Sequence, residues 1–372
     1  MMMRWTATAC LAIVITCLGY AHPALANGYA TSVPPLTWSP DSHWLAAVVT
    51  DALPQDGQTV VGELRLYDKY KRYASLGPGY SSPSFSPDSK WLAVVRDGDV
   101  WIYKVPEPPG ATARGDAASQ PADIQAPQVV GKITARGDVF DCRWGAGPGG
   151  DTAIYFTAGE RFYGSAIFTL SWPSLAITKL LDNPPDGSAF APVASPDGFN
   201  LLWLAQNGLT GQVGYERLMV YDQVWQASRL LTLPQQRPDD YHESNAAFLD
   251  SGTVLFQRGG WGDWNLHRLD LATGKETLEL TDAELPSFSA DGRYLAFVRR
   301  DYTAKKLAEY DWEVLTSVRL RDRQSGGEWQ VSAPGVMACF PAIAPDGSMI
   351  AWVEARGEGQ AVQVRARQAF QS

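Results

Sequence analysis

The chain has 372 residues, and its 31 Lys and Arg residues against 40 Asp and Glu residues give a formal net charge of −9 at pH 7. This acidic balance argues against a nucleic-acid-binding protein, which carries an excess of basic surface. With 45% hydrophobic residues, 34 Gly and 25 Pro, the composition is that of a folded, turn-rich chain and excludes an intrinsically disordered one.

Residues 1–26 have the pattern of a secretory signal peptide. A positive charge at Arg4 precedes an apolar run over residues 9–18, and Ala24-Leu25-Ala26 supplies the small residues that a signal peptidase accepts. The run is short for a membrane span, and no later segment approaches the ~20 apolar residues that one needs. We predict cleavage after Ala26, a single domain over 27–372 without a transmembrane segment, and a periplasmic or secreted location.

Two cysteines, Cys142 and Cys339, remain after such a cleavage. In an exported chain, one distant pair is either a disulfide or two buried thiols. We favour two buried thiols.

A short phrase recurs along the chain at intervals of about 50 residues, the period of a repeat built from one small β-sheet. Five good copies share a turn centred on Asp and followed by apolar residues: Ser39-Pro40-Asp41-Ser42, Ser86-Pro87-Asp88-Ser89, Ser195-Pro196-Asp197-Gly198, Ser289-Ala290-Asp291-Gly292 and Ala344-Pro345-Asp346-Gly347. Degenerate copies at 143–156 and 248–256 bring the count to seven. Because Pro presets φ while Asp and Gly tolerate turn conformations, each phrase predicts a tight turn between two strands.

The repeats predict an all-β fold, a seven-bladed β-propeller of four-stranded antiparallel blades, with six blades as the alternative. The sixth repeat shows the pattern in full, with strands expected at 285–288, 294–299, 317–320 and 328–331. The seventh repeat ends before its outer strand. We expect residues 29–32 to complete that blade, with 368–370 as the rival.

Two insertions depart from the period. Residues 106–127 are rich in Pro, Ala and Gly and predict a flexible excursion between the third and fourth strands of the second blade. Residues 301–312 lengthen the sixth blade between its second and third strands, as a helical turn or a long hairpin.

The recurring Ser-Pro-Asp-Gly/Ser phrase followed by Leu-Ala resembles the WD40-like repeats of TolB-like propellers. The segment from Asn265-Leu266-His267 to Asp270-Leu271-Ala272-Thr273-Gly274 adds to that resemblance, which covers nearly the whole chain after residue 26. Propellers of prolyl-oligopeptidase-type peptidases and oligogalacturonate lyases have the same repeat type. The resemblance implies the fold and leaves the function open, since this scaffold hosts many roles. Lyase-like propellers hold a metal with clustered histidines, whereas residues 27–372 contain only His43, His242 and His267.

The first strands of the blades line the central channel, so the residues a few positions before each turn form a candidate ring. Counting back from the turns places Asn245 level with Pro83, Pro192, Pro286 and Pro341. Three acids and one imidazole are then expected at the channel mouth: Asp141, Glu243, Glu284 and His242. They would serve as a general acid/base pair or bind a divalent cation. The alternative is a set of solvated residues that accept hydrogen bonds from backbone N–H groups.

Candidate binding residues come from a glycine-rich loop and from the ring. Gly259-Gly260-Trp261-Gly262-Asp263-Trp264 joins two strands of the fifth blade and would present Trp261, Asp263 and Trp264 to a partner or a sugar. The alternative is that the tryptophans fold back between blades. Phe190 and Phe340 belong to the predicted ring.

Two functional hypotheses follow. The first is an exported, non-catalytic propeller that binds a protein or cell-envelope component through one face and needs no cofactor. The second is a lyase or hydrolase, metal-assisted in one version, that uses His242, Glu243, Glu284 and Asp141 at the channel mouth.

Overall fold

The computed structural model describes residues 35–50, 62–108, 124–160, 164–182, 187–207, 216–232, 242–259, 264–301, 306–308, 311–312, 315–356 and 359–370. Within these ranges the chain is almost entirely β-strand, arranged as seven successive antiparallel sheets around a ring. Each sheet is a meander in which consecutive strands pair. No helix in the described residues is long and apolar enough to cross a bilayer.

The first four blades each contain four strands. Blade 1 consists of β1 (Leu36–Trp38), β2 (Trp44–Val49), β3 (Glu63–Asp68) and β4 (Tyr73–Ser75). Blade 2 consists of β5 (Tyr80–Phe85), β6 (Trp91–Arg96), β7 (Asp99–Lys104) and β8 (Gln128–Lys132). Blade 3 consists of β9 (Val139–Ala146), β10 (Thr152–Ala158), β11 (Ala166–Ser171) and β12 (Ile177–Leu181). Blade 4 consists of β13 (Gly187–Ala194), β14 (Asn200–Asn207), β15 (Glu216–Asp222) and β16 (Ala227–Leu230).

The last three blades repeat the same order. Blade 5 consists of β17 (His242–Asp250), β18 (Thr253–Gly259), β19 (Trp264–Asp270) and β20 (Glu276–Leu280). Blade 6 consists of β21 (Glu284–Phe288), β22 (Tyr294–Asp301), β25 (Leu315–Asp322) and β26 (Glu328–Gln330), and β23 (Lys306–Ala308) pairs with β24 (Asp311–Trp312) as a hairpin between β22 and β25. Blade 7 has β27 (Ala338–Ile343), β28 (Met349–Arg356) and β29 (Gly359–Ala366) within the described residues.

The seven-bladed prediction is confirmed, and the six-bladed alternative is wrong. The strands predicted for the sixth repeat match β21, β22, β25 and β26 closely. The insertion at 106–127 does connect the third and fourth strands of blade 2, although residues 109–123 lie outside the described ranges. Of the two structures considered for 301–312, the hairpin is the correct one.

The ring closes by direct contacts between blades 7 and 1. The Trp38 Nε1–H donates to the Ala342 carbonyl at 3.0 Å, and the Asp346 N–H donates to Ser42 Oγ at 3.0 Å. The predicted closing strand at 29–32 lies outside the described residues. Its rival is wrong as a strand, because Arg367–Phe370 forms a 3₁₀ helix.

The recurring turns owe their shape to the Ser and Asp side chains of the phrase. In blade 1, Ser39 Oγ donates to Asp41 Oδ1 at 2.5 Å and the same oxygen accepts the His43 N–H at 3.1 Å. The fourth position is left-handed, with φ of 67–75° at the glycines and 62° at Ser42 and Ser89. A serine there is strained relative to glycine. The serine hydroxyl compensates by accepting an N–H from the turn of the neighbouring blade. Ser89 Oγ accepts the Asp41 N–H at 3.0 Å, and Ser42 Oγ accepts the Asp346 N–H at the same distance.

Candidate functional site

A β-bulge near the start of the first strand recurs in five blades and fixes the level of the predicted ring. The bulge residue has a left-handed φ of 47–55° in each case: Ser82, Ala191, Asn245, Leu285 and Phe340. The pairing registers shift at the same points. Bulges of this kind re-aim the side chains beside them.

The bulge corrects the predicted alignment in blade 5 by one residue. Ser244 pairs with Gln257 at the position where Glu284 of blade 6 pairs with Val298. Asn245 is therefore equivalent to Leu285, the residue before Pro286, and not to the proline itself. Glu243 therefore lies one position earlier than Glu284, and side chains at successive strand positions point to opposite faces. The error arose because the predicted ring position was counted back from Asp250. A second register shift lies next to Asp250, so the turn of blade 5 differs from the turns of the other blades.

Asp141 joins blades 3 and 4. Its carboxylate is buried and accepts the Thr157 N–H and the Ala191 N–H, both at 3.1 Å. Ala191 is the bulge residue of blade 4. The bulge of blade 6 is held in the same way, because the Leu285 N–H donates to Gln257 Oε1 of blade 5 at 3.0 Å. In both cases a side chain from the preceding blade satisfies a buried backbone donor.

Glu243 joins blades 4 and 5. It is fully buried and accepts hydrogen bonds from Thr232 Oγ1 at 2.6 Å and from the Leu218 N–H at 3.3 Å, both in blade 4. Arg258 of its own blade lies 3.1 Å away. The two carboxylate oxygens are thus held by groups of both blades.

Arg258 extends this contact into a buried charge network. Its guanidinium also binds Glu276 at 2.6 Å, and His267 Nδ1 lies 2.8 Å from the same Glu276 oxygen. Although burial opposes ionisation, the close approach of His267 and the hydrogen bonds from Arg258 lower the pKa of Glu276 to about 2. The network, defined as Glu243, Arg258, Glu276 and His267, crosses blade 5 from its first to its last strand.

Glu284 has a different partner. Its carboxylate forms a bidentate pair with Arg300 of the same blade, at 2.6 and 3.1 Å. Burial raises the pKa of Glu284 to about 6, while Arg300 acts in the opposite direction. Burial, with a smaller contribution from the Glu284 charge, raises the pKa of the Cys339 thiol. Cys142 and Cys339 are both buried and free, so the prediction of two thiols is confirmed.

His242 is buried at the start of β17. Its Nδ1 accepts the Glu216 N–H at 3.4 Å, and its ring is tilted against Trp264 at a centroid distance of 6.5 Å. Burial, together with the nearby charge of Arg217, lowers the pKa of His242. A neutral imidazole in this position packs between blades 4 and 5.

The four predicted catalytic residues are therefore not brought together at one point of the ring. Asp141 bridges blades 3 and 4, Glu243 and His242 contact blade 4 from blade 5, and Glu284 is paired within blade 6. Among the described residues, no three His, Cys, Asp or Glu side chains are grouped so that they could hold a metal ion. The alternative interpretation expected solvated acids with backbone N–H donors. Backbone N–H groups do donate to Asp141 and Glu243, but Glu284 is paired with the Arg300 side chain, and all three acids are buried.

Of the predicted binding residues, Trp261 and Asp263 lie outside the described ranges. Trp264 begins β19 and is 8% exposed, which corrects the expectation that it projects from the loop. Phe190 and Phe340 are buried in the blade cores. Phe190 precedes the bulge residue of blade 4, and Phe340 is itself the bulge residue of blade 7.

A group of exposed large apolar side chains lies on one face of the ring, at residues that the sequence-based prediction did not include. We call this face the turn face: it carries the connections from first to second strands and from third to fourth strands, which leave an antiparallel meander on the same side. In blade 4, Phe199, Val224 and Trp225 are 46%, 58% and 80% exposed on two neighbouring turns. We name these three residues the blade 4 patch.

Hydrogen bonds hold the blade 4 patch in place. Asp222 Oδ1 accepts the N–H groups of Val224 and Trp225, both at 2.9 Å. The Gln223 N–H donates to the Phe199 carbonyl at 2.8 Å, so the two turns are tied together. The repeat alignment contained the signal: Phe199 stands where the other good copies have His43, Lys90, Arg293 and Ser348, all polar.

Comparison with known proteins identifies similar folds at low sequence identity. No protein-family model matches the chain, and no curated protein matches it. An oligogalacturonate lyase in complex with manganese has a TM-score of 0.60 at 12% identity, over 93% of this chain and 90% of that one. The β-propeller domain of Myceliophteria thermophila Cps50 (Swd1) has a TM-score of 0.53 at 12% identity, over 91% and 97%. TolB from Acinetobacter baumannii has a TM-score of 0.49 at 14% identity, over 87% and 67%.

At these identities the likenesses establish the fold alone. The neighbours include an enzyme, the lyase, beside propellers whose names state no reaction. The described part of this chain offers no ligand set for an ion such as the manganese of that lyase. The chain therefore has the seven-bladed β-propeller fold that these structures share.

Proposed function

We propose that this chain is an exported, non-catalytic β-propeller that binds a component of the cell envelope through its turn face. The observation that carries the proposal is the blade 4 patch, in which Trp225 is 80% exposed beside Val224 and Phe199. Contiguous large apolar side chains on the surface of a folded protein mark interaction sites. Tryptophan is also the side chain most enriched at the energetic centres of interfaces.

The rigidity of the patch supports binding. Asp222 and Gln223 fix the backbone of both turns before any partner arrives. A partner then loses little of its interaction free energy to ordering the loop, which is the advantage of a preorganised surface. An apolar tip that had no partner would gain nothing from this arrangement.

The enzyme alternative receives less support from the candidate residues. A general acid and base must reach the same substrate within hydrogen-bond distance. Asp141 and Glu243 are instead held at the contacts between blades 3 and 4 and between blades 4 and 5, and Glu284 is paired with Arg300 inside blade 6. Their burial and pairing account for their place in the fold.

Export is the part of the proposal that depends on residues 1–26. The charged start, apolar run and Ala24-Leu25-Ala26 motif predict a mature chain that begins at Asn27. Expression of the full sequence in a Gram-negative host, followed by fractionation and amino-terminal sequencing, tests this directly. Recovery of the uncleaved chain from the cytoplasm would contradict export.

Binding is tested by sedimentation with the envelope fraction of the source organism. We expect the mature chain to co-sediment, and a variant with Trp225→Ser and Val224→Ser to remain in the supernatant. Leu278→Ser is the matched control, because Leu278 is 57% exposed on the outer strand of blade 5, away from the turn face. Equal sedimentation of both variants would refute a role for the blade 4 patch.

A further inference from the structure

The turn face carries a second unusual feature, at the connection between β3 and β4 of blade 1. The segment Lys69-Tyr70-Lys71 projects there, with Tyr70 57% exposed and both lysines exposed. We call this segment the blade 1 tip. It places positive charge and an aromatic ring at the surface of a chain whose net charge is −9.

Asp68 organises the blade 1 tip as Asp222 organises the blade 4 patch. The buried Asp68 carboxylate accepts the Tyr70 N–H at 2.8 Å and the Arg72 N–H at 3.0 Å, and it pairs with the Arg72 side chain at 2.7 Å. Arg72 is thus neutralised within the turn. Lys69 lies over the Tyr70 ring at 5.4 Å, and Lys71 is held at a left-handed φ of 66°.

Further positive charge lies on the neighbouring turn. Lys90, at the tip of the first turn of blade 2, is 73% exposed and 3.9 Å from Asp88, which is itself half exposed. An exposed pair at that distance is weak and leaves the lysine able to interact with another anion. Opposing charges lie on the neighbouring first turns at Asp41, Asp88 and Asp346, and each of these carboxylates accepts hydrogen bonds within its own turn.

The two features lie on the same face but in well-separated sectors. The blade 1 tip and the blade 4 patch both sit on connections that leave the sheets on the turn face, and blades 1 and 4 are three positions apart in a ring of seven. A single partner that touches both must be flat and as wide as the propeller. Both features are convex tips, so the partner must also yield around projecting side chains.

A lipid bilayer meets these requirements. Trp and Tyr are enriched at the level of the headgroups, where an apolar ring and a polar edge are both satisfied. Val224 and Phe199 add apolar surface beside Trp225. Lysines within a Debye length of an anionic leaflet are attracted to it, each by about fivefold in affinity.

We propose that the turn face binds an anionic lipid bilayer, with the blade 4 patch inserted between headgroups and with Lys69, Lys71 and Lys90 contacting lipid phosphates. This inference rests on the proposed function and names the envelope component as the membrane itself. It predicts an orientation in which the ring lies flat on the bilayer and the opposite face is directed away from it.

The test uses the mature chain and vesicles of phosphatidylcholine alone or with phosphatidylglycerol. We expect sedimentation only with the anionic vesicles, and weaker binding as salt rises, because the attraction is screened. Trp225→Ser should reduce the affinity by about tenfold, since one large apolar side chain no longer leaves water. Lys69→Gln with Lys71→Gln should reduce it by about twentyfold.

Two matched controls locate the effect on the turn face. Leu278→Ser removes an exposed apolar side chain from the outer strand of blade 5, and Lys179→Gln removes a half-exposed lysine from the outer strand of blade 3. Neither should change vesicle binding. Circular dichroism should give the same thermal midpoint for all four variants, because every substituted side chain is exposed.

Two outcomes would overturn the inference. In the first, the chain does not bind anionic vesicles. Its sedimentation with the envelope fraction still depends on Trp225, but protease treatment of that fraction abolishes it. The partner is then a protein, and the proposed function stands without the membrane. In the second, the chain binds vesicles, but the turn-face variants reduce that binding no more than the control variants do. If envelope sedimentation is also independent of Trp225, the proposed function fails as well.

Discussion

Replacing Arg258 with Met should destabilise the propeller strongly. The Arg258 side chain is only 6% exposed, and it donates to Glu243 at 3.1 and 3.2 Å and to Glu276 at 2.6 and 2.9 Å. Methionine has a similar length and no charge, so it leaves the buried Glu243 carboxylate and the largely buried Glu276 carboxylate without their shared cation. Removing one partner of a buried ion pair costs about 3–5 kcal/mol. We expect a loss of about 4 kcal/mol in the free energy of unfolding at pH 7.5.

Urea denaturation followed by circular dichroism measures this change as a shift of the midpoint at constant slope. Lys90→Met is the control, because its pair with Asp88 is exposed and should be worth less than about 1 kcal/mol. The loss in Arg258→Met should shrink below about pH 5, since protonation removes the stranded charge. Adding Glu243→Gln and Glu276→Gln should recover part of the stability. A loss below about 1 kcal/mol at pH 7.5 would refute the conclusion that the network is desolvated.

Three further predictions concern the acid range, the ring closure and the thiols. Contacts of His267 and Arg258 with the charged form lower the folded pKa of Glu276 to about 2. The stability that Glu276 contributes is therefore present above its usual pKa of 4.5 and is lost as pH falls toward 2. The difference in unfolding free energy between wild type and Glu276→Gln should therefore shrink from pH 4.5 to 2, and a constant difference would argue against this cause. Ser42→Ala should cost about 1 kcal/mol through the lost Asp346 bond, whereas Ser42→Gly should cost less because it relieves the left-handed strain; equal losses measured by urea denaturation would contradict that account. Iodoacetamide should label Cys142 and Cys339 only after denaturation without reductant, as detected by mass spectrometry, and unlabelled denatured protein would indicate a disulfide.

The fold could be predicted from the sequence because each repeat contains a short phrase of residue types that favour a tight turn. Ser289, Asp291 and Gly292 each have a local role, and the strands on either side were assigned closely from that phrase. Blade 5 was misaligned by one residue since its turn at Asp250 obeys a different geometry. The spacing between repeats does not show at which strand position a β-bulge adds an extra residue.

The environment of the candidate residues was harder to predict, because it depends on how neighbouring blades face one another. The sequence placed Asp141, Glu243 and Glu284 near the starts of first strands, where the structure has them. Their partners Ala191, Thr232 and Arg300 come from other strands or blades. The packing of neighbouring blades brings Ala191 and Thr232 within hydrogen-bond distance of their acids, and the pairing of two strands in blade 6 does the same for Arg300.

The blade 4 patch was within reach of the sequence but was not recognised. Phe199 replaces a polar residue at one position of an otherwise regular turn, and Trp225 follows an Asp that ends a strand. In a chain with 14 Trp residues, a further aromatic is easily assigned to the core. Exposure depends on the side of the sheet from which a turn leaves, and the meander topology supplies that information.

The bulge contacts limit how the repeats can be exchanged. The Ala191 N–H depends on Asp141 of the preceding blade, and the Leu285 N–H depends on Gln257 of the preceding blade. A single repeat transplanted into another ring, or averaged into a consensus module, would leave one of these amides stranded near the hub. Engineering on this scaffold should therefore move adjacent repeats as pairs, with the acceptor and the amide that it serves kept together.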